Sequence, residues 1–162
     1  MEIRDASAAD VATIVSFNQC LARETEGKTL PDETVLRGVS AVFADPARGR
    51  YFLACVKDRA VGQLMLTTEW SDWRNGQVWW IQSVYVAPDH RRGGVMRALF
   101  RHVEALARRS AGVVGLRLYV ERNNATAQGA YRTVGMHDAG YIVFEKMLSG
   151  SAPSEVMEGD RP

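Results

Sequence analysis

The sequence is short of cysteine, of histidine and of surplus charge. Two cysteines occur in 162 residues, Cys20 and Cys55, too few and too far apart for a disulfide scaffold or a metal knuckle. Both sit among apolar neighbours and are read as reduced core thiols, so the cytoplasm is the expected compartment. His90, His102 and His137 lack ligand-like spacing, and no metal is expected. A net charge of +1 argues against nucleic acid or a membrane surface as the main partner. No apolar run approaches the ~20 residues that span a bilayer. The opening Met1-Glu2-Ile3-Arg4-Asp5 lacks a basic stretch leading into an apolar one, so no export signal is expected. There is no internal repeat and no dividing linker. What is present is ordinary: 46% hydrophobic and 24% charged residues suit one globular domain with a substantial core. Residues 1–148 form that expected domain. Residues 149–162 are rich in Ser, Pro, Gly and acids and read as a loose tail.

Along the chain, residues 2–4 read as a short strand. Ser7 to Asp10 has the form of a capping box, and Val11, Ile14, Val15 and Leu21 follow at helical spacing to about Glu24. Pro31 with Asp32 and Glu33 starts a second helix, which Asp45-Pro46 stops. Residues 51–56 and 61–67 read as a hairpin, and Asn75-Gly76 turns the chain into a third strand over 77–86. Strict alternation there puts Val78, Trp80, Val84 and Val86 on one face and Trp79, Ile81 and Tyr85 on the other. A third helix starts near Gly93. Leu116, Leu118 and Val120 alternate as a strand, a short helix carries Tyr131, and 137–148 reads as a last strand. The order β-α-α-β-β-β-α-β-α-β predicts an α/β (α+β) fold, a mixed, mostly antiparallel sheet with helices on both faces.

The informative stretch is residues 84–100. An apolar strand enters a proline-containing turn, and a basic glycine pair then opens an amphipathic helix. Small residues let a ligand approach the main chain, and the unpaired N–H groups of a helix start, at its positive end, suit phosphates. Arg91, Arg92 and Arg97 add guanidinium groups, which pair with phosphate in bidentate fashion. The spacing is neither Walker A nor G-x-G-x-x-G, so this stretch alone is equally a solvated strand–turn–helix connection.

A second stretch decides between these. Arg91-x-x-Gly94-x-Met96 followed by Ala98-Leu99 resembles the acyl-CoA-binding motif (Q/R-x-x-G-x-G/A) of the GCN5-related N-acetyltransferases, the GNAT family. Thirty residues after Gly94 begins Asn124-x-x-Ala127-x-x-x-Tyr131-x-x-x-Gly135-Met136, which resembles the same family's second motif. The resemblance covers roughly residues 1–148, with both motifs inside 84–136. Met96 is a departure, standing where the family usually has Gly or Ala.

The resemblance implies acetyl-CoA as co-substrate. Its diphosphate would lie on the N–H groups of Arg92, Gly93, Gly94, Val95, Met96 and Arg97, with Arg91 alongside. Its pantetheine arm would pair with Ser83, Val84, Tyr85 and Val86 like an added strand, leaving Asn124 and Ala127 near the arm. Such pairing requires this strand to splay from the one at 116–120. The N–H of Val84 or its neighbour would polarise the thioester carbonyl, and Tyr131 would protonate the departing thiolate. The competing readings are an ordinary buried strand, a helix cap at Asn124 and a packing tyrosine at 131.

No general base stands out, because the third meander strand carries no acid. Glu24, Glu26, Glu69 and Asp72 are the nearby acids by family analogy. Glu24 and Glu26, with Trp80, are the residues expected at the acceptor. The tryptophans 70, 73, 79 and 80 could line an acceptor pocket with cation–π capacity, or simply pack. No Cys or Ser–His pairing suggests a covalent intermediate. The expected activity is direct acetyl transfer from acetyl-CoA to a primary amine of a small molecule. Rivals are a protein N-terminal or lysine acetyltransferase, a non-catalytic acyl-CoA-binding sensor (conceivable from Met96 and the missing base), and a generic nucleotide binder. A homodimer is a family expectation.

Overall fold

The computed structural model describes residues 1–148. The tail expected at 149–162 lies outside the described residues. Five strands, β1 (Glu2–Asp5), β2 (Arg50–Val56), β3 (Arg59–Ser71), β4 (Gly76–Val86) and β5 (Val113–Leu118), form one sheet in the order β1-β2-β3-β4-β5. Every neighbouring pair is antiparallel except β4 with β5, which is parallel. That one parallel pair follows from its connection: α3 (Val95–Arg109) crosses over between the two strands, as parallel neighbours require.

Helices cover both faces. On one side α1 (Val11–Glu26) and α2 (Asp32–Ala44) bring Ile14, Val39 and Val42 onto Tyr51, Leu53 and Cys55. On the other, α3 brings Val95, Leu99, Phe100 and Val103 onto Phe52, Leu64, Leu66 and Ile81. Tyr131 of α4 (Ala125–Arg132), with Val134 and Met136 beyond it, packs against this second cluster. The mixed, mostly antiparallel sheet between helices is thus the architecture the periodicity predicts.

Local chemistry sets the element ends. The Ser7 N–H donates to Asp10 Oδ2 at 2.8 Å, and Arg4 donates to both Asp10 oxygens at 2.9 and 2.7 Å. Pro31 is the N-cap of α2, and Asp45, extended before Pro46, accepts from Ala47 N–H at 3.0 Å. Lys57 and Asp58, at φ +48° and +61°, make the tight turn from β2 to β3 with the twist hairpins favour. Gly76 is needed for space: a Cβ there would lie 2.3 Å from Val114 Cγ1 and 2.8 Å from Gly112 O. This close approach lets β5 lie against the start of β4.

Two expectations are corrected. The last strand does not form: residues 137–148 carry no ladder, and Tyr141 and Phe144 stand 78% and 88% exposed. The apolar run Tyr141 to Phe144 suits a strand, but among the described residues no strand pairs with it. The strict alternation on β4 also fails. The β3–β4 register slips between Gln63 and Met65, which pair with Tyr85 and Gln82. The extra residue on β4 bulges at Ser83, whose φ is +49°. An inserted residue reverses which side chains face which side. Hence Trp79 and Ile81 before the bulge, and Val84 and Val86 after it, all pack on the α3 side, while Tyr85 faces α1, its ring 5.1 Å from that of Phe17.

Candidate active site

The site is built around the far end of β4. Pairing with β5 runs from Gln77 opposite Val113 to Ile81 opposite Leu118 and then stops, although β4 continues to Val86. The two strands part at that point. Ser83, Val84, Tyr85 and Val86, the residues expected along a pantetheine arm, all lie in the stretch of β4 that β5 does not pair. The Ser83 bulge lies at the mouth of the opening.

Beyond Val86 the chain turns through Pro88–His90, held by Ala87 N–H to Val61 O at 2.9 Å and Arg91 N–H to Pro88 O at 3.2 Å. Arg92 at φ +61° and Gly94 at φ +79° then swing the backbone into α3. Only glycine adopts the latter geometry without strain. A Cβ built at Gly94 meets nothing within 4 Å, so the loop has an open rim. Arg92, Gly93, Gly94 and Arg97 are exposed, whereas Val95 is buried in the core and Met96 is half-buried. Val95 could therefore offer only its N–H. The first-turn N–H groups of α3 have no acceptor within the helix and stand at its positive end.

Arg91 is directed elsewhere. Its Nε donates to Val86 O at 2.9 Å, its guanidinium lies 5.7 Å from the Tyr85 ring centre, and its Nη2 pairs with Glu24 Oε2. The Tyr85 hydroxyl donates to Glu24 Oε1 at 3.3 Å. Burial, with Cys20 and Glu24 nearby, pushes that phenol up to about 12. The fold thus brings together Glu24, expected at the acceptor, and Arg91 and Tyr85, expected at the co-substrate. It ties the end of α1 to the turn before α3. Glu26 pairs instead with Lys28 at 2.8 Å.

Tyr131 is half-buried on α4 against the cluster that also contains Val84, Val86, Leu116 and Leu118. Its phenol and both walls of the opening therefore border one apolar cluster. Burial raises its pKa above the ordinary phenol value, so it carries its proton at neutral pH. Asn124 caps α4, its side chain accepting from Ala127 N–H at 2.9 Å.

Two arrangements escape sequence reading. Gln63 is fully buried. Its Nε2 donates to Asn18 Oδ1 at 2.6 Å and to Ser83 O at 3.2 Å, and Asn18 Nδ2 donates to the Tyr51 hydroxyl at 3.3 Å. This network, reaching from α1 to the bulge, pins Ser83; Gln63 Oε1 has no partner among the described residues. A lone glutamine in an apolar strand was the available signal. On the face of the sheet beyond α1, Glu69 accepts from Trp80 Nε1 at 2.7 Å and Arg117 Nη1 at 3.0 Å. Tyr119 lies tilted against Trp80 with ring centres 4.4 Å apart, just past the last β4–β5 pair. Trp80 is therefore at the opening, while Trp70 and Trp73 are exposed near the hairpin tip. Among the described residues no group of three or more His, Cys, Asp or Glu is placed to hold a metal ion, and no helix is long and apolar enough to cross a membrane.

Comparisons with known proteins agree with this fold. The sequence profile of the acetyltransferase (GNAT) family matches residues 15–136. A crystal structure described as a possible acetyltransferase from Clostridium difficile 630 is 42% identical, with a TM-score of 0.85 over 91% of this chain and 97% of that one. A predicted acetyltransferase from Clostridium acetobutylicum, solved with acetyl-CoA, shares the fold at a TM-score of 0.74 and 15% identity, covering 90% and 95%. An aminoglycoside acetyltransferase from an uncultured soil metagenomic sample, in complex with sisomicin, shares it at 0.72 and 13%, covering 91% and 95%. No curated protein matches the sequence. With the family profile covering residues 15–136 and a solved relative 42% identical over 91% of the chain, the chain belongs to the acetyltransferase (GNAT) family.

Proposed function

We propose that the protein moves the acetyl group of acetyl-CoA directly to the primary amine of a small molecule. The observation that carries this reading is the parting of β4 from β5 after Ile81 and Leu118. It leaves the main chain of Ser83, Val84, Tyr85 and Val86 without a β5 partner and facing the amides of a pantetheine arm, with the Ser83 and Val86 carbonyls also accepting from Gln63 and Arg91. The diphosphate then reaches the open turn at Arg92, Gly93 and Gly94 and the first N–H groups of α3 (Val95, Met96 and Arg97), with Asn124 and Ala127 flanking the arm. The empty space at the Gly94 Cβ position is consistent with a phosphate there.

In the transfer, the amine lone pair attacks the thioester carbon and the carbonyl oxygen gains charge beside the Val84 main-chain N–H. The C–S bond then breaks, and Tyr131 gives its proton to the leaving thiolate. Glu24 is held by Arg91 and Tyr85, and Glu69 by Trp80 and Arg117. Both carboxylates thus already accept hydrogen bonds, so water removes the amine proton and these acids orient the acceptor. Trp80 with Tyr119 offers an aromatic surface where a cationic acceptor gains cation–π attraction.

The test is thiol release from acetyl-CoA with a panel of small amines, an N-terminal peptide and a lysine peptide. Small amines should be the better acceptors, and Tyr131→Phe should lower kcat by about 10²-fold or more with little change in KM for acetyl-CoA. Faster peptide acetylation would reassign the acceptor. Tight CoA binding without thiol release from any acceptor would make the protein a sensor.

A further inference from the structure

A glutamine in the middle of an apolar strand needs a reason. Gln63 is fully buried on β3, and its Oε1 has no partner among the described residues. An apolar side chain of similar length would fill the same space without stranding an acceptor. What keeps an amide there is therefore the work of its donors. Nε2 carries two N–H groups and donates to Asn18 Oδ1 at 2.6 Å and to Ser83 O at 3.2 Å. Asn18 Nδ2 donates in turn to the Tyr51 hydroxyl at 3.3 Å. Burial raises the pKa of that phenol, and Asn18 and the Ser83 side chain both act against the rise. The network thus closes on itself, gripping Ser83 at its carbonyl and at its side chain.

What it grips is a strained residue. Ser83 has φ +49°, a left-handed conformation that a residue with a Cβ keeps only when its surroundings impose it. Released, the bulge would relax and the peptide after it would turn. That peptide is planar and trans, so its C=O and N–H point in opposite directions. The Ser83 carbonyl is drawn to Gln63 on the β3 side. The Val84 N–H is therefore turned away from β3, toward the side where β5 stops pairing after Leu118. We propose that Gln63 is a positioning residue for acetyl transfer, holding the Ser83 carbonyl so that the Val84 N–H faces the thioester oxygen. It touches neither substrate nor co-substrate and acts only through the peptide it orients. This role rests on the proposed function, in which that N–H meets the charge developing on the carbonyl oxygen. A donor is most effective there when its direction is fixed before the reaction begins.

Two measurements test this, one of them without reference to activity. In the protein without co-substrate, the backbone chemical shifts of Ser83 should mark the left-handed conformation in the wild type and lose it in Gln63→Met. In steady-state kinetics, Gln63→Met should lower kcat by about tenfold or more, with KM for acetyl-CoA changed by less than about twofold. Glycine takes a left-handed conformation without being held there. The kcat loss should therefore shrink when Gln63→Met is made on a Ser83→Gly background, a rescue that a general loosening of the core would not show. If the methionine variant does not fold, Gln63→Glu replaces it. That buried carboxyl keeps its proton and has one donor in place of two, so kcat should fall by less, again with KM little changed. Unchanged Ser83 shifts, an unchanged kcat, or equal losses on both backgrounds would each overturn the role of Gln63. A wild type that releases no thiol with any acceptor would instead overturn the proposed function, and this role with it.

Discussion

Gly94, at the start of α3, and Tyr131, on α4, are the two residues on which the proposed chemistry most depends. Gly94→Ala places a side chain at φ +79°, which costs about 1–2 kcal/mol of strain, and fills the open rim where phosphate is proposed to lie. We expect KM for acetyl-CoA to rise roughly tenfold, equivalent to about 1.4 kcal/mol, with kcat close to unchanged. Thermal melting should fall by only a few degrees. A change confined to stability would remove Gly94 from the phosphate site. Both residues were legible because their markers are local: a glycine pair at a helix start, and a tyrosine at fixed distance from a capping asparagine. The direction of the Arg91 side chain was not legible. Its engagement with Glu24 joins residues 67 positions apart, and only the folded α1 brings them together.

Among the elements, β4 departs most from its pattern. Its alternation is readable up to Gln82, but nothing in the residue type of Ser83 announces a left-handed conformation. The bulge arises from the register that β3 imposes and from the Gln63 amide holding the Ser83 carbonyl. The apolar requirement therefore moves from positions 79 and 81 to 84 and 86. Val84→Lys, on the α3 side, should destabilise by about 2–3 kcal/mol through burial of an unpaired charge. Gln82→Lys, on the other face, should change stability by less than about 1 kcal/mol. Equal effects in denaturant titration would mean that the phase does not reverse. The segment at 137–148 shows the complementary failure: its apolar run Tyr141 to Phe144 suits a strand, but a strand also needs a neighbour, and pairing is not written in the segment itself.

At the scale of the whole molecule, charge pairs near the chain start and phenols taken wholly or partly out of water set the pH range of stability. Asp10 is held well below the ordinary carboxylate range by hydrogen bonds from Arg4, and Asp5 is lowered by Arg50. Depressed carboxyl pKa values contribute stability that is present above the unfolded value near ~4 and lost as pH falls through the folded values. Burial raises the phenols of Tyr51, Tyr85 and Tyr131. Their contribution is full below the unfolded value near ~10 and disappears as pH rises through the folded ones, about 12 for Tyr85. The denaturant midpoint should therefore hold between these limits and fall on either side, and Asp10→Asn should flatten the acid limb. An acid limb of the same steepness in that variant would assign the loss to other carboxylates.

The lone parallel junction of β4 with β5 also orders events in time. β2, β3 and β4 are joined by two tight turns, so their contacts close over short loops, whereas β5 must wait for the whole of α3 to cross over. Short loops close at lower entropic cost. The meander, carrying the bulge, therefore assembles first, and the wall made by β5 and α4 arrives last and loosens first. A chain partly destabilised by heat or denaturant would keep the surface proposed for the pantetheine arm after losing Tyr131, the residue proposed to protonate its sulfur. Its ability to hold the acyl donor should thus outlast its ability to turn it over.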